Sequence, residues 1–445
     1  MSLDLKRQAD RPITSVDELL RYFQEAERPR EQHKVGLEHE KLVYPVGAGL
    51  AIPYEGPSGV RALLEALEPN GYQAFRESPS LPVIALMRGD ASISLEPGGQ
   101  LELSGTAVRT AREAHQENVA HLAEVREACA ALGLRPVALG YRPFDRVPDM
   151  PWMPKTRYTM MRRTLGARGS MALNMMLMTA TGQVSLDWAD EADCSRKVTA
   201  VARLSPLMVG LYANSPLVEG KPSGFKSFRS QVWTDVDNAR CGYQSFMLDG
   251  SFSYRAYVDW ALDAPLLFLR RDGEYRTPGI TFRQLLKDGY EGKPADYADW
   301  VDHLSTLFPE VRIKKVLEVR GADCASEAQT GALSALWRGI LYDAQALDEA
   351  LRLLPVYTLQ QQQRFHDVAR REGLSGQFDG KPLAKLAAEM VEIARRGLKR
   401  LDPEDAPLLD VLAGLAAEGR CPADAVLEQW TRAPDPAALL AASAL

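Results

Sequence analysis

Period-two alternation of apolar and polar residues marks the clearest element of the chain, a β-hairpin over residues 91–104. Residues 91–96 have strand character, and leucines alternate with polar residues over 100–104. Pro97-Gly98-Gly99 between them is typical of a tight turn, because proline presets φ and glycine tolerates positive φ. The pattern places Glu102 on the face opposite the leucines and Glu96 beside the turn.

Two further stretches combine a strand with glutamates. In residues 35–44, alternation puts Glu38 and Glu40 on one face and His39 on the other, so we interpret His39 as structural. Residues 311–320 are predicted as one strand whose polar face carries Glu318. The cations of that face are Arg312, Lys314 and Arg320. We predict that the three stretches converge and that their carboxylates share divalent cations.

Helical periodicity and turn residues predict the other elements of the first 325 residues. The predicted helices are 14–23 with a Ser15/Glu18 capping box, 59–67 capped by Ser58, 106–132, 155–163, 190–203 capped by Asp190 and broken or kinked at Pro206, 253–262 and 281–287. The predicted strands are 137–140 and 179–188. Residues 142–154 are predicted as a loop near the surface, and 224–237 as a loop leading into a strand that holds Arg229 and Trp233.

Beyond Ala325 the composition changes, because Ala, Leu, Glu and Arg dominate and β-branched residues become rare. Helices broken near Pro355, Gly380, Pro403 and Pro422 are expected there. We therefore predict a catalytic α+β domain at 1–325 and a helical C-terminal subdomain at 326–445 packed on it.

Composition and charge narrow the function classes. The 445 residues are 46% hydrophobic and 25% charged with a net charge of −6, which gives no general attraction to nucleic acid. No apolar run approaches the roughly 20 residues of a membrane span, and residues 1–12 lack a secretory apolar segment. The five cysteines are scattered without a Cys-x-x-Cys pair, which indicates neither a disulfide framework nor a zinc site. We expect a cytoplasmic protein.

A single pair of glutamates on a strand is usually the solvated face of that strand. Three such stretches, one of them rich in cations, favour a site for phosphate and metal instead. Clustered carboxylates repel one another, and Mg²⁺, which prefers oxygen ligands, would remove that repulsion. The chain has no phosphate-binding Gly-x-x-x-x-Gly-Lys-Ser/Thr loop and no kinase-type glycine loop. Nucleotide binding would therefore depend on carboxylate–metal bridges and on Lys and Arg.

Six short motifs occur in a fixed order along the chain. They are Val35-Gly36-Leu37-Glu38-His39-Glu40-Lys41, Leu95-Glu96-Pro97-Gly98-Gly99-Gln100-Leu101-Glu102-Leu103-Ser104-Gly105, Met153-Pro154-Lys155-Thr156-Arg157-Tyr158, Asn214-Ser215-Pro216, Phe228-Arg229-Ser230-Gln231-Val232-Trp233-Thr234-Asp235 and Leu317-Glu318-Val319-Arg320-Gly321-Ala322-Asp323. This series, over about residues 35–341, closely resembles the glutamate–cysteine ligases of the plant and proteobacterial type.

The resemblance implies a fold of the glutamine-synthetase and guanidino-kinase type, with a curved, mostly antiparallel sheet that forms a funnel and helices outside it. It implies a reaction in which ATP phosphorylates the γ-carboxylate of L-glutamate and the amine of L-cysteine displaces the phosphate, the first step of glutathione synthesis. The expected cofactors are two or three Mg²⁺ ions, with Mn²⁺ as an alternative, and ATP is a co-substrate. The expected partners are these small molecules, with neither nucleic acid nor membrane, in a monomer or homodimer.

The resemblance also assigns residues. The implied metal ligands, which with Arg320 form the catalytic set, are Glu38, Glu40, Glu96, Glu102 and Glu318. The implied glutamate contacts are Arg157, Thr181, Arg229 and Trp233. The implied nucleotide-phosphate contacts are Lys314, Lys315 and Arg320. Three alternatives stay open: a ligase of the same fold that uses another amine, a guanidino kinase, and a binding protein without activity.

Overall fold

The computed structural model describes residues 11–47 and 50–445. Of the segment predicted to lack a secretory signal, residues 1–10 lie outside this description. Within the described part no helix has both the length and the apolarity needed to cross a bilayer.

The strands that build the main sheet come largely from the first half of the chain. They are β1 (Val35–Pro45), β2 (Gln73–Phe75), β3 (Ala85–Arg88), β4 (Ala91–Leu95), β5 (Leu101–Ser104), β6 (Leu134–Val137) and β7 (Thr181–Leu186). Shorter or later strands are β8 (Leu217–Val218), β9 (Lys221–Pro222), β10 (Cys241–Gly242), β11 (Leu269–Arg271), β12 (Glu274–Arg276), β13 (Phe308–Pro309), β14 (Val311–Ile313), β15 (Leu317–Asp323), β16 (Gln377–Phe378) and β17 (Lys381–Pro382).

Helices surround this sheet and make up nearly all of the C-terminal region. In the first 325 residues they are α1 (Val16–Gln24), α2 (Val60–Leu67), α3 (Ala111–Ala131), α4 (Thr156–Leu165), α5 (Ala172–Met178), α6 (Glu191–Tyr212), α7 (Phe228–Val232), α8 (Tyr254–Asp263), α9 (Phe282–Asp288) and α10 (Tyr297–Ser305). Beyond them lie α11 (Glu327–Leu341), α12 (Ala344–Leu353), α13 (Leu359–Glu372), α14 (Leu383–Leu401), α15 (Asp410–Glu418), α16 (Pro422–Arg432) and α17 (Pro436–Ala442).

The main sheet confirms the predicted α+β class. Its strands follow the order β14-β15-β7-β1-β5-β4-β3-β2, and β6 pairs with the far end of β1. Each of these neighbouring pairs is antiparallel. Strand β1 is central, and its apolar face is buried through Val35, Leu37 and His39. On this face His39 Nδ1 lies 3.0 Å from Asn118 Oδ1 of α3, so the prediction that His39 is structural agrees with its position.

The stretch predicted as one strand over 311–320 is a hairpin of β14 and β15, so that prediction was wrong. The N–H of Lys314 donates to the carbonyl of Val316 at 2.9 Å and closes the turn. Arg312 then lies directly opposite Glu318. Residues opposite one another in an antiparallel pair point to the same face, so the cations and the carboxylate still meet, now from two strands.

Residues 224–237 contain a helix, α7, where a strand was predicted. Ser227 begins the helix, because its Oγ accepts the N–H of Ser230 at 3.1 Å. A single side-chain cap of this kind is a local alternative to strand pairing that favours a helical turn. The segment therefore projects Arg229 and Trp233 from a helix and a following 3₁₀ turn.

Helix α6 continues past Pro206 to Tyr212, whereas a break or kink was predicted. Proline lacks an N–H, so the carbonyl of Ala202 loses its partner four residues ahead. The side-chain Nε2 of Gln362 in α13 supplies a replacement, donating to that carbonyl at 2.8 Å. Tertiary contact thus satisfies the group that the proline leaves free. The predicted N-cap, Asp190, is confirmed by its bond from the N–H of Asp193.

Three smaller predictions were also wrong. Helix α1 begins after Ser15 without the predicted capping box, and Glu18 binds Thr14 instead. Ser58 donates its hydroxyl to the carbonyl of Leu132 and does not cap α2. The strand predicted at 137–140 lies at 134–137.

The loop at 142–154 was predicted near the surface, and it is partly buried, with Arg146 and Asp149 exposed. Arg142, Asp145, Met150 and Met153 are buried in it. The tyrosine hydroxyl of Tyr44 donates to Asp145 at 2.8 Å. Polar side chains that bind the protein's own backbone and hydroxyls explain why part of this Pro-rich, charged segment lies inside.

The helical C-terminal region shares a core with the sheet. One cluster of buried residues contains Val184 of β7 and Leu204 of α6 together with Leu333 of α11 and Val391 of α14. Helix α11 packs against both α3 and α14. The division of the chain at residue 325 stays a prediction.

His303 of α10 gives this core a pH dependence that can be measured. Burial, with Arg240 nearby, lowers the pKa of His303 to about 3. Since the folded state then binds fewer protons, its contribution to stability is present above pH 6.5 and is lost as the pH falls toward 3. We expect the plot of unfolding free energy against pH, measured in urea between pH 6 and 4, to be steeper in the wild type than in His303→Gln by about 1.4 kcal/mol per pH unit. Parallel plots would contradict this.

Candidate active site

The register of the main sheet brings the predicted carboxylates onto one face. Glu40 of β1 lies opposite Glu102 of β5, and Glu38 lies opposite Gln183 of β7. Two residues further along β7, Ser185 lies opposite Glu318 of β15. Because cross-strand partners share a face and alternate residues of a strand do so too, these side chains form one polar row. We call it the acidic row, and its members are Glu38, Glu40, Glu102 and Glu318.

Glu96 reaches the row from the hairpin turn. The N–H of Glu96 donates to the carbonyl of Gln100 at 3.0 Å, and the N–H of Gly99 donates to the carbonyl of Glu96 at 2.9 Å. A Cβ on Gly98 would lie 2.2 Å from the carbonyl oxygen of Leu177, and Gly99 has a φ of +79°. The two glycines are therefore required by close approach and by conformation.

Neighbouring residues hold this turn from several sides. The carbonyl of Leu95 accepts the Nζ of Lys155 at 2.5 Å and the hydroxyl of Tyr158 at 2.6 Å. The carbonyl of Gly98 accepts the Nη2 of Arg142 at 3.0 Å. Buried donors thus fix the backbone on both sides of Glu96.

Mutual repulsion and burial act on the carboxylates near the turn. Burial raises the pKa of Glu40 to about 8, and the adjacent charges of Glu96 and Glu102 add to this effect. Burial also raises the pKa of Glu38, with Glu102 and Glu318 contributing. A raised pKa means that negative charge is unfavourable there unless a cation is present.

Glu318 has the opposite environment. Its carboxylate lies 2.5 Å from Arg312 Nε, 2.9 Å from Lys314 Nζ and 3.4 Å from Arg320 Nη1. Burial alone would raise the pKa of Glu318, but the three cations outweigh it and hold the pKa well below its usual value. Arg320 also donates to Gln183 Oε1 at 2.6 Å, which ties the cationic group to the centre of the row.

Three of the six sequence motifs meet at Asp323, the third through Arg229, whose Nη1 lies 4.0 Å from the Asp323 carboxylate. This carboxylate accepts the N–H of Asn214 at 2.8 Å, the hydroxyl of Ser215 at 2.6 Å and the hydroxyl of Ser227 at 2.7 Å. A Cβ on Gly140 would lie 2.5 Å from the carboxyl carbon of Asp323. Asp323 therefore joins these motifs and holds the start of α7 against the end of β15.

A small cavity of about 50 Å³ borders the Glu40 and Glu96 end of the row, and Arg229 and Trp233 line it too. The guanidinium of Arg229 donates through Nη2 to the carbonyl of Arg320 at 2.9 Å. Within the described part of the chain, the buried Nε of Arg229 and the buried Nε1 of Trp233 find no acceptor. Buried donors without partners are costly, and this wall of the cavity carries two of them.

A larger cavity of about 370 Å³ borders the Glu38 and Glu318 end of the row. Lys314 and Lys315 line it, together with Tyr22 of α1. Since Glu38 and Glu40 are two residues apart on one strand face, the two cavities are neighbours along β1.

The other predicted contacts are less direct. The hydroxyl of Thr181 donates to the carbonyl of Ala322 at 2.6 Å, while its N–H donates to Glu40 Oε2 at 3.0 Å. The Nζ of Lys315 is bound by the carbonyl of Tyr22 at 2.8 Å and turns toward α1. Arg157 lies on α4 with its guanidinium 5.7 Å from the ring of Tyr158. Among the four predicted glutamate contacts, Thr181, Arg229 and Trp233 line the small cavity.

Sequence reasoning missed several residues of the site. Gln183 and Ser185 are two residues apart in a strand that was correctly predicted. Alternation therefore placed both on one face of that strand, which could have indicated Gln183 as a site residue. Arg312 was predicted on the cationic face but was not assigned to the site, and it is 2% exposed beside Glu318. Lys155 lies in one of the motifs, and burial lowers its pKa to about 8, yet no local pattern indicated that it would be internal.

The acidic row suits a hard divalent cation in its chemistry. All five candidate ligands are carboxylates, and oxygen is the donor that Mg²⁺ prefers. The raised pKa of Glu40 reflects burial and, after it, repulsion by Glu96 and Glu102, and a bound cation would offset both. As the described side chains stand, no three acidic, His or Cys groups surround one point as metal ligands do. The residues fit the metal by donor type and charge.

Comparison with known proteins identifies the family of this chain. The model of glutamate-cysteine ligase family 2 matches residues 34–438. The chain belongs to this family. The resemblance predicted from six ordered motifs is thereby confirmed, and the match extends through the helical C-terminal region.

Two curated relatives of this family are plant proteins. The chain is 37% identical over 437 residues to the chloroplastic glutamate–cysteine ligase of Brassica juncea, covering 96% of this chain and 84% of that one. It is also 37% identical to the chloroplastic enzyme of Arabidopsis thaliana, covering 96% and 83%.

A solved structure shows the same fold at low sequence similarity. The glutamate–cysteine ligase of Francisella tularensis, solved in complex with AMP, has a TM-score of 0.59 and 13% identity, covering 92% of this chain and 87% of that one. At this identity the likeness concerns the fold, and it agrees with the antiparallel sheet and outer helices predicted from the sequence.

Proposed function

We propose that this protein joins the γ-carboxylate of L-glutamate to the amine of L-cysteine at the expense of ATP. The observation that carries the proposal is the acidic row, which lies between two neighbouring cavities with cations at one end and unpaired donors at the other. The relatives named glutamate–cysteine ligase, over nearly the whole chain, support this reaction.

The small cavity is the proposed glutamate site. A guanidinium binds a carboxylate strongly, and Arg229 has a buried Nε still free to donate. Trp233 adds an indole N–H on the same wall. We assign the α-carboxylate of glutamate to these donors, which directs the γ-carboxylate toward Glu40 and Glu96. Arg157 and Thr181 are further proposed contacts, Thr181 through the orientation of Glu40.

The large cavity is the proposed nucleotide site. Its Lys314 lies at the edge of the acidic row, 2.9 Å from Glu318. Lysine and arginine supply positive charge to phosphate oxygens, so Lys314 is proposed to contact the phosphates. Arg320 lines the neighbouring small cavity and is proposed to contact the phosphates from there. Lys315 lines the same cavity from the side of α1 and is a weaker candidate because Tyr22 and Glu25 already bind it.

Two or three Mg²⁺ ions are proposed to be held by Glu38, Glu40, Glu96, Glu102 and Glu318, with Mn²⁺ as an alternative. When bound, such ions neutralise phosphate charge during phosphoryl transfer. The chain's own cations, Arg312, Lys314 and Arg320, keep Glu318 ionised and therefore ready as a ligand.

The chemistry then proceeds in two balanced steps. The γ-carboxylate attacks the terminal phosphorus of ATP, giving the acyl phosphate and ADP. The amine of cysteine attacks the acyl carbon, phosphate leaves, and one proton is released as the amide forms. The buried walls of the small cavity, including Met175 and Met176, limit access of water that would hydrolyse the acyl phosphate.

The test is a product assay on the purified protein with Mg²⁺, ATP, glutamate and cysteine. We expect γ-glutamylcysteine by mass spectrometry, with one ADP formed per dipeptide. In Arg229→Gln we expect the KM for glutamate to rise by about 10- to 100-fold, because a charge-assisted contact is lost, while the KM for ATP stays within about twofold. A panel of other amines and guanidino compounds is the comparison.

Each outcome has a distinct meaning. A clear preference for another amine would replace cysteine as the acceptor. Phosphorylation of a guanidino compound without amide formation would replace the ligase proposal with a kinase. Equal effects of Arg229→Gln on glutamate and on ATP would remove Arg229 from the glutamate site.

The cellular compartment and the oligomeric state are also proposed. The cytoplasm is the compartment proposed from the sequence, whereas the relatives in plants are named chloroplastic. A monomer or a homodimer is proposed, and sedimentation of the pure protein distinguishes the two.

A further inference from the structure

Helix α13 of the C-terminal region touches the segment that carries Arg229. The imidazole of His366 is buried between two hydroxyl groups. Its Nε2 lies 2.8 Å from Ser230 Oγ in α7, and its Nδ1 lies 2.7 Å from the hydroxyl of Tyr243. His366 thus contacts α7 although it lies 136 positions further along the chain than Ser230.

The end of α13 holds the same segment at a second point. The carbonyl of Arg370 accepts the N–H groups of Lys226 and Ser227, each at 2.9 Å. Carbonyls in the last turn of a helix have no partner within the helix, so Arg370 offers an acceptor that a neighbouring chain segment can use. The residues that lead into α7 are therefore anchored by α13 as well as by Asp323.

Helix α7 depends on such contacts because it is five residues long. A helix of this length has too few internal hydrogen bonds to be stable by itself. On its other side, the N–H of Arg229 donates to Ser215 Oγ at 3.0 Å. The backbone at Arg229 is thus held by Ser215 on one side and by Ser230 with His366 on the other, while the carbonyl of Arg320 accepts from its guanidinium.

The neutral form of His366 suits two permanent hydrogen bonds. Burial, with Arg370 nearby, lowers the pKa of His366 to about 3. The neutral imidazole has one nitrogen that donates and one that accepts, and a hydroxyl can take either role. Both contacts can therefore be satisfied together, and the ring carries no charge that would compete for the substrate.

We propose that His366 is a positioning residue that acts through Ser230 to hold Arg229 in the orientation that binds glutamate. The inference rests on the proposed function, since it takes the small cavity as the glutamate site. It gives the helical C-terminal region a specific role in the affinity for one substrate.

Two substitutions separate the contacts of His366. The amide of asparagine ends near the position of Nδ1, so His366→Asn keeps the hydrogen bond to Tyr243 and loses the one to Ser230. The longer glutamine reaches the position of Nε2, so His366→Gln keeps Ser230. We expect His366→Asn to raise the KM for glutamate about tenfold, which corresponds to about 1.4 kcal/mol and is the range of one buried hydrogen bond. We expect His366→Gln to restore it to within about twofold.

Phe365 provides the control for simple damage to α13. It is the adjacent residue, fully buried, with its ring stacked 4.8 Å from that of Phe378. Phe365→Leu should lower the melting temperature without changing the KM for glutamate. The KM for ATP is measured in all variants and should change less than that for glutamate.

The results decide between the proposals. An unchanged KM for glutamate in His366→Asn overturns the inference, and so does an equal rise in His366→Gln or in Phe365→Leu. If the wild-type protein forms no γ-glutamyl product, the proposed function fails first, and direct calorimetric binding of glutamate replaces KM as the readout for His366.

Discussion

Replacing Glu40 by glutamine should lower kcat/KM by a factor on the order of 10² to 10³ while the protein remains folded. Loss of one preorganised charge contact at a reacting phosphoryl or acyl group has this magnitude. The substitution is mild for folding, because the amide oxygen of glutamine can still accept the N–H of Thr181 that now binds Glu40. Burial and the neighbouring carboxylates already raise the pKa of Glu40 to about 8 and favour its neutral form, so a neutral amide fits this position and thermal stability should stay equal or rise slightly.

Steady-state kinetics at saturating Mg²⁺ and a thermal melt are the measurements for this variant. Glu124→Gln is the control, since Glu124 binds Arg88 at 2.7 Å and Tyr72 at 3.1 Å, away from the acidic row. Its kcat/KM should match the wild type. Full activity in Glu40→Gln would show that Glu40 has no role in holding the metal.

Replacing Glu318 by alanine should destabilise the fold by about 3 to 5 kcal/mol, the usual effect of removing one partner from a buried ionic group. Arg312, Lys314 and Arg320 would then face one another without their shared carboxylate. Arg312 could not turn to solvent easily, because its Nη1 also donates to the carbonyls of Ser305 and Leu307 at 3.0 and 3.1 Å.

Urea unfolding measures this loss, and a second substitution tests its cause. In the Arg312→Met background, Glu318→Ala should be less destabilising, because one of the unpaired cations is gone. Glu428→Ala, which removes an exposed ion pair with Arg420, should leave the unfolding midpoint unchanged. An equally small effect of Glu318→Ala would mean that the cationic group is solvated well enough to do without its carboxylate.

Substitution of Glu40 and of Glu318 is expected to affect stability differently because the two carboxylates have different neighbours. Glu40 is buried among other carboxylates, which favours its neutral form, so a neutral amide costs little there. Glu318 lies among cations, so removing it creates strain. Loss of activity in Glu318 variants must therefore be interpreted together with their stability, whereas Glu40 variants report on function alone.

Much of the acidic row could be predicted because its signals are local. Alternation in a strand decides which side chains share a face, and this placed Glu38 with Glu40. Proline and two glycines specify a tight turn wherever they lie in the chain, and this placed Glu96 next to Glu102. The order of six motifs then identified the family, which the family model confirmed.

Predictions failed where distant contacts overrode local preference. Pro206 remains inside α6 because Gln362 satisfies the carbonyl that the proline leaves free. Arg142 and Asp145 of the loop at 142–154 are buried because they find partners inside, as Arg142 does at Gly98 and Asp145 at Tyr44. None of these partners lies nearby in the sequence, so no pattern of the segment itself could reveal them.

The amino-acid sequence by itself determined strands β1, β4, β5 and β7, the turn at 97–99 and the faces on which the glutamates lie, since these follow from backbone geometry over a few residues. Only the tertiary structure decided the order of strands that joins Glu40 to Glu102 and Glu318 to Ser185. It also decided the opposite pKa shifts of Glu40 and Glu318, because burial and charge depend on every neighbour in space. The contact of His366 with Ser230 was likewise decided only by the tertiary structure.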